Sequence, residues 1–224
     1  VAAAKGYPLI ITMPDNATQE RIKVMQAYGA KVHLTPAAKR MTGAIELAEK
    51  LAAEIPNSFV PQQFENPANA DAHRGTTAVE ILEAFGTDLD AFVLTAGTGG
   101  TVTGTGEELK KRIPGLKIYV VEAKGSPVLA GGQPGPHKIV GTGPGFIPKI
   151  LNTKIWDELL HIEDHEAYAM ARRVAKEEGI LLGPSGAASV FFALKIAKQL
   201  GPGKRVLAVA PDNGERYLSG DLYV

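Results

Sequence analysis

The sequence contains no cysteine, which excludes disulfide staples, thiolate metal sites and a thiol nucleophile, and is compatible with a reducing compartment. Neither sign of charge is in excess: 24 lysine and arginine residues balance 24 aspartate and glutamate residues. No net field therefore draws the chain to nucleic acid, an anionic membrane surface or a highly charged partner. No run of about eighteen apolar residues occurs, so no membrane-spanning helix is expected. The five histidines, at 33, 73, 137, 161 and 165, lack ligand spacing, and no metal site is expected. The opening VAAAKGYPLIITM has neither a basic leader nor a signal-cleavage pattern, and a soluble, cytoplasmic protein is the expectation. That opening also lacks an initiator methionine and reads as the last turn of a helix before a strand, so a segment upstream is expected to be missing.

What is present is alternation. Short apolar, β-branched runs at Leu9 to Met13, Lys31 to Leu34, Ser58 to Val60, Ala91 to Ala96, Lys117 to Glu122, Glu158 to Ile162 and Arg205 to Ala210 predict strands. Helical spacing covers Thr18 to Tyr28, Thr42 to Ala53, Thr77 to Phe85, Thr101 to Arg112, Asp164 to Glu178 and Gly186 to Leu200, with stops at Gly29, Gly86, Pro114-Gly115 and Gly179. Such alternation implies an α/β fold whose parallel sheet is covered on both faces. The turn Asn66-Pro67-Ala68-Asn69 breaks the pattern, so two lobes are expected, 1–66 and 67–224. The glycine- and proline-rich stretch Gly125 to Pro148 is the longest irregular segment, and loops of that length in compact domains are functional or disordered.

Four segments carry chemistry. Between the strand AFVLTA and the next helix lie Gly97, Thr98, Gly99, Gly100 and Thr101. Glycines let the backbone turn tightly and bring N–H groups against a phosphate, while the helix N-terminus adds partial positive charge and the threonines add hydroxyls. A dinucleotide fingerprint or close packing without ligand stays open on these residues alone, and Glu122 stands near where the dinucleotide reading wants an acid. Ser185, in Leu182-Gly183-Pro184-Ser185-Gly186-Ala187-Ala188, reads by itself as a helix N-cap rather than a ligand contact. The segment Pro211 to Ser219 follows the last strand, where open parallel sheets bind ligands, and Gln62 to Asn69 clusters uncharged amides.

Together, in this order and spacing, the four segments resemble the cysteine synthases (O-acetylserine sulfhydrylases) of the tryptophan synthase β-like family, over the whole length of the chain. The matches are GTGGT at Gly97 to Thr101, SGA at Ser185 to Ala187, Gln63-Phe64 before NPAN, and PD-x-GERYLS at Pro211 to Ser219. The resemblance implies a two-lobed fold type II enzyme in which residues 1–66 are the remainder of a smaller mobile domain and 67–224 bind the phosphate of pyridoxal 5′-phosphate. It implies synthesis of L-cysteine and acetate from O-acetyl-L-serine and sulfide through an aminoacrylate. Gly97, Thr98, Gly99, Gly100 and Thr101 would hold the phosphate, Ser185 the pyridine nitrogen, and Gln63, Phe64 and Gly141 the substrate. A hydroxyl gives the ring nitrogen a hydrogen bond without opposite charge, which favours β-elimination over racemisation or transamination. The family's Schiff-base lysine has no counterpart among the visible lysines and is expected upstream of Val1. A homodimer, and docking of a serine acetyltransferase C-terminal tail, are likewise implied.

Thr142, Pro144, Pro184 and Asn213 depart from the residues common in cysteine synthases, and the two prolines fix φ and remove an N–H near the expected pocket. Substrate preference is thus less tightly implied than cofactor. The competing readings are a cystathionine β-synthase-like or serine/threonine dehydratase-like enzyme, a non-catalytic paralogue, and a nicotinamide oxidoreductase resting on the glycine loop alone.

Overall fold

Two parallel sheets, with helices forming the crossovers, account for the alternation. The computed structural model describes residues 1–224. Its chain divides into two units, Val1–Pro61 with Arg216–Leu222 and Val224, and Gln62–Glu215 with Tyr223. The sequence places the division a few residues later, at Asn66. Residues 62–66 group with the larger unit because Glu65 and Asn66 N–H both donate to Gln62 O (2.9 and 2.8 Å) and Ile150 N–H donates to Phe64 O (3.3 Å). Residues 216–222 group with the N-terminal unit: the N–H and hydroxyl of Ser219 both donate to the Glu20 carboxylate (3.0 and 2.8 Å), and Arg21 donates to Tyr217 Oη at 2.7 Å.

In the smaller unit a short helix α1 (Ala2–Lys5) precedes β1 (Ile10–Pro14), α2 (Gln19–Ala27), β2 (Lys31–Thr35) and α3 (Arg40–Glu54). The strands pair in parallel with Ile10 opposite Lys31, and Thr12 Oγ1 donates to Ala44 O at 2.8 Å, tying α3 to β1. The strand expected at Ser58 to Val60 does not form. Ser58 N–H turns back to Ile55 O and its hydroxyl to Ala52 O, and three residues offer too short a ladder to compete with that turn.

The larger unit opens with α4 (Ala68–Gly75) and α5 (Thr77–Phe85), then β3 (Ala91–Thr95), α6 (Gly100–Arg112), β4 (Lys117–Ala123), β5 (Glu158–Ile162), α7 (Asp164–Glu178), α8 (Pro184–Leu200) and β6 (Val206–Ala208). Its strands run parallel in the order β5-β4-β3-β6. Side chains alternate between two apolar layers, as the two-residue strand period requires. Phe92, Leu94, Ile118 and Val120 pack with Val102 and Leu109 of α6 and with Ile81 and Leu82 of α5. Ala91, Val93, Val121 and Ala123 pack on the other face with Ala167 of α7 and Ala188, Ala193 and Ile196 of α8. The crossover from β3 leads through α6 to β4, while β6 lies on the other flank of β3, so the carboxyl end of β3 is the switch point where such sheets form a crevice. A capping box starts α7, with Glu163 N–H donating to Glu166 Oε2 at 3.0 Å. No helix is long and apolar enough to cross a membrane.

Candidate functional site

At the carboxyl end of β3, Gly97, Thr98, Gly99 and Thr101 line a cavity of about 220 Å³ together with Gly141 and Pro211. Gly100 sits in the same turn and opens α6. The loop must be glycine for reasons of space. A Cβ on Gly97 would come within 2.5 Å of Gly141 O, and one on Gly100 would collide with the Asn69 amide. Gly99 has φ +87°, and a Cβ there would meet Leu151 Cδ1 at 2.6 Å. Thr103 N–H to Gly99 O (2.9 Å) is the first bond along this helix; of the N–H groups ahead of it, Gly100 turns to Thr98 Oγ1 and those of Thr101 and Val102 have no acceptor within the helix, at the positive end of the α6 dipole. No lysine or arginine lines the cavity. An anion placed there would meet only backbone amides and hydroxyls.

The hydroxyls are held in place from behind. Thr98 Oγ1 accepts from Asn69 Nδ2 (3.0 Å) and from Gly100 N–H (3.3 Å), which leaves its own proton to donate elsewhere. Asn69 Nδ2 also donates to Gln63 O at 2.8 Å. Thr101 Oγ1 lies 3.2 Å from His73 Nε2, and His73 Nδ1 lies 2.9 Å from Thr77 Oγ1. Burial lowers the His73 pKa below the ordinary imidazole value, so the ring is neutral at neutral pH. The sequence marks Asn69 only as one of the clustered amides of Gln62 to Asn69 and as part of a boundary turn, without its partner, and it does not mark His73, which acts across 28 residues.

Ser185 is not an N-cap. Gly183 caps α8 and Pro184 occupies its first turn, where a missing N–H costs nothing, so the helix starts ahead of the expected Gly186. Ser185 therefore lies inside the first turn, 3% exposed. Gly141, at φ +95°, is so close that a Cβ on it would reach 3.9 Å from Ser185 Oγ. Gly141 thus connects the glycine loop to Ser185. Gly186 packs on Ala210 and Pro211, the latter also in the cavity wall. Of the residues expected to hold substrate, Gly141 lines the cavity, Phe64 is buried edge-on against Phe146 at 5.0 Å, and Gln63 is exposed.

Residues 124–157, without helix or strand, are fastened at several points: Gly143 N–H to Ala96 O (3.1 Å), Asn152 N–H to Thr103 Oγ1 (2.9 Å) and Leu129 N–H to Glu122 Oε1 (2.6 Å). Glu122, the acid a dinucleotide reading needs, is only 2% exposed and faces a separate cavity behind the glycine loop, of about 10 Å³, room for one water. Its Oε2 has no hydrogen-bond partner and lies 3.5 Å from His161 Nε2. Its carboxylate holds the loop and does not face an open groove. Thr142 and Pro144, the departures noted in the sequence, line this same small cavity.

Comparison with known proteins supplies the context for this geometry. Residues 1–212 match the family described as pyridoxal-phosphate dependent enzyme. The chain is 56% identical over 225 residues to the probable cysteine synthase of Bacillus subtilis (strain 168), covering 99% of this chain and 72% of that protein. An O-acetylserine dependent cystathionine beta-synthase from Helicobacter pylori superposes with a TM-score of 0.96 at 41% identity, over 100% of this chain and 73% of that one. The cysteine synthase (OASS) of Entamoeba histolytica gives 0.91 at 43% identity, over 99% and 66%. With the family model matched across nearly the whole chain and a relative 56% identical over 99% of it, the chain belongs to the pyridoxal-phosphate dependent enzymes.

Proposed function

We propose that this chain grips the cofactor of a cysteine synthase, an enzyme making L-cysteine and acetate from O-acetyl-L-serine and sulfide. The observation that carries the reading is the 220 Å³ cavity over β3, walled by glycine backbone and free of cationic side chains. Those residues fit the phosphate of pyridoxal 5′-phosphate. Gly97, Gly99 and Gly100 have no room for a Cβ, so backbone forms the wall, and the N–H groups of Thr101 and Val102 with the Thr98 hydroxyl would supply donors. Once bound, the coenzyme acts as an electron sink that labilises the α-proton and the β-leaving group of an amino acid.

The chain's own residues do the positioning. Thr98 and Thr101 orient hydroxyls held by Asn69 and His73. Ser185 offers the ring nitrogen a hydrogen bond without a negative charge, which limits charge build-up at Cα and directs the chemistry to Cβ. Gln63 and Gly141 are assigned to the substrate and Phe64 to the apolar side of its pocket. No lysine lines the cavity, and no covalent role is assigned within the chain. The same reading takes residues 1–66 as the smaller, mobile domain, and includes a cytoplasmic location, a homodimer and docking of a serine acetyltransferase tail. Its support on those points is the motif set shared with cysteine synthases.

A second reading is favoured by the Helicobacter pylori structure: the nucleophile is a larger thiol and the product cystathionine. Measuring kcat/KM for sulfide against homocysteine, with O-acetyl-L-serine as the common partner in the full-length protein, separates them. Sulfide is expected to be preferred at least about tenfold, roughly 1.4 kcal/mol of discrimination. A reversed ranking sinks the cysteine synthase reading and leaves the second.

A further inference from the structure

The C-terminal Tyr223 belongs by its contacts to the larger unit, although residues 216–222 and Val224 group with the smaller one. It is not in any of the four segments that the sequence marks. Its hydroxyl donates to Leu182 O at 2.6 Å, and its ring lies on the α-carbon of Gly214, where a Cβ would come within 2.5 Å of the Tyr223 oxygen and 2.7 Å of its ring. Burial raises the phenol above its ordinary pKa, so it remains a protonated donor through the physiological range.

The acceptor is what makes this contact more than packing. Leu182 and Asn213 form an isolated antiparallel bridge. The bonds that flank it are Gly183 N–H to Asp212 O (3.2 Å) and Gly214 N–H to Leu181 O (3.1 Å). In a pair of that kind the bridging residues' own carbonyls point away from the partner strand. Leu182 O is therefore left without a partner from the bridge, at a residue only 5% exposed, and the Tyr223 hydroxyl satisfies it. Three residues further on stands Ser185. The span between them is stiff: Pro184 fixes φ, Gly183 is the N-cap, and Gly186 is pressed against Ala210 and Pro211. A displacement of Leu182 would therefore be carried along this span toward Ser185.

We propose that Tyr223 is a positioning residue that locks the Leu182–Ser185 turn onto the Asp212–Gly214 loop and so holds the Ser185 hydroxyl where it meets the cofactor ring. The proposal rests on the reading of Ser185 as the partner of the ring nitrogen. Tyr223→Phe removes the hydroxyl and keeps the ring over Gly214, so the packing survives. In fluorescence titrations of the full chain with pyridoxal 5′-phosphate, Tyr223→Phe is expected to weaken binding about three- to tenfold, the usual worth of one hydrogen bond. In a Ser185→Ala background the same change is expected to have less than about a twofold effect, because the group it positions is gone. Amide exchange at Gly183 and Gly214 is expected to speed up while the core of α8 stays protected, which establishes that the variant is folded.

If Ser185→Ala alone binds the coenzyme as tightly as the native chain, the Ser185 reading falls, and this proposal with it. If Ser185→Ala weakens binding but Tyr223→Phe does not, or costs the same factor in both backgrounds, Ser185 keeps its role and only the positioning role of Tyr223 is overturned.

Discussion

The two units bury their strands differently. In the larger one Ala91, Phe92, Val93 and Leu94 of β3 are all closed to solvent, as are Ile118, Val120 and Val121 of β4. Parallel strands covered on both faces are what near-continuous apolar runs such as AFVLT produce. In the smaller unit β1 is half-buried throughout, and β2, KVHLT, leaves Lys31, His33 and Leu34 exposed. Phe59 is 79% exposed and Tyr28 72%. The larger unit is closely packed beneath the glycine loop, and the smaller holds together with few buried side chains, Ile22, Ala30 and Ala44 among them.

Phenylalanine truncation tests that difference most strongly. Phe92→Ala empties a fully buried site between β3 and the helices over it, and a loss of about 3–5 kcal/mol in unfolding free energy is expected. Phe59→Ala removes a ring that is already in water and should stay within about 0.5 kcal/mol of the native chain. Urea unfolding curves measure both. Similar losses from the two would show that the smaller unit is packed as firmly as the larger.

The same contrast explains what is legible in the sequence. Thr77 to Phe85, Glu158 to Ile162 and Asp164 to Glu178 have the same bounds in sequence and structure, because apolar spacing is clear in all three and Gly86 and Gly179 end the two helices. Ser58 to Val60 reads as a strand and is not one, since a three-residue apolar run carries no information about whether a neighbour exists to pair with. Ser185 reads as a cap because serine caps helices often, and the preceding Pro184 moves the start of α8 forward. The glycine loop is legible as a tight strand-to-helix turn from position alone, which its lack of room for a Cβ matches. Its supports are not: Asn69 reaches Thr98 over 29 residues, Tyr223 reaches Leu182 over 41, and no local pattern encodes such pairs.

The platform itself can be disturbed without touching the core. Gly97→Ala puts a methyl where Gly141 O now stands, so either the cradle or the loop carrying Gly141 must shift. Such overpacking costs about 1–3 kcal/mol, and here it falls on the cofactor wall, so pyridoxal 5′-phosphate affinity should drop roughly 10- to 100-fold. Global stability should change by less, because the site lies beyond the end of β3. If affinity is retained and stability falls instead, the wall at Gly97 serves packing and not the coenzyme.

The smallest expected effect is electrostatic and compares one carboxylate from each unit. Burial pushes the Asp157 carboxyl up, but bonds from Lys110, the Ile118 N–H and Lys117 outweigh it and hold the pKa at about 2. Depressed below its unfolded value, this group contributes stability that is complete above about pH 4 and is lost as pH falls through about 2. Asp157→Asn should therefore cost about 1 kcal/mol at neutral pH, the exposed share being screened, and the difference from the native chain should shrink steadily below pH 4. Glu20 is also lowered, by its own backbone N–H and the Ser219 hydroxyl, yet solvent reaches its half-buried side chain and screens these bonds, so Glu20→Gln should change the acid limb of the stability curve less. Denaturant midpoints taken between pH 2 and pH 7 decide it. A penalty for Asp157→Asn that stays constant across that range would mean its bonds survive protonation, and that the larger unit owes its acid resistance to packing rather than to this ion pair.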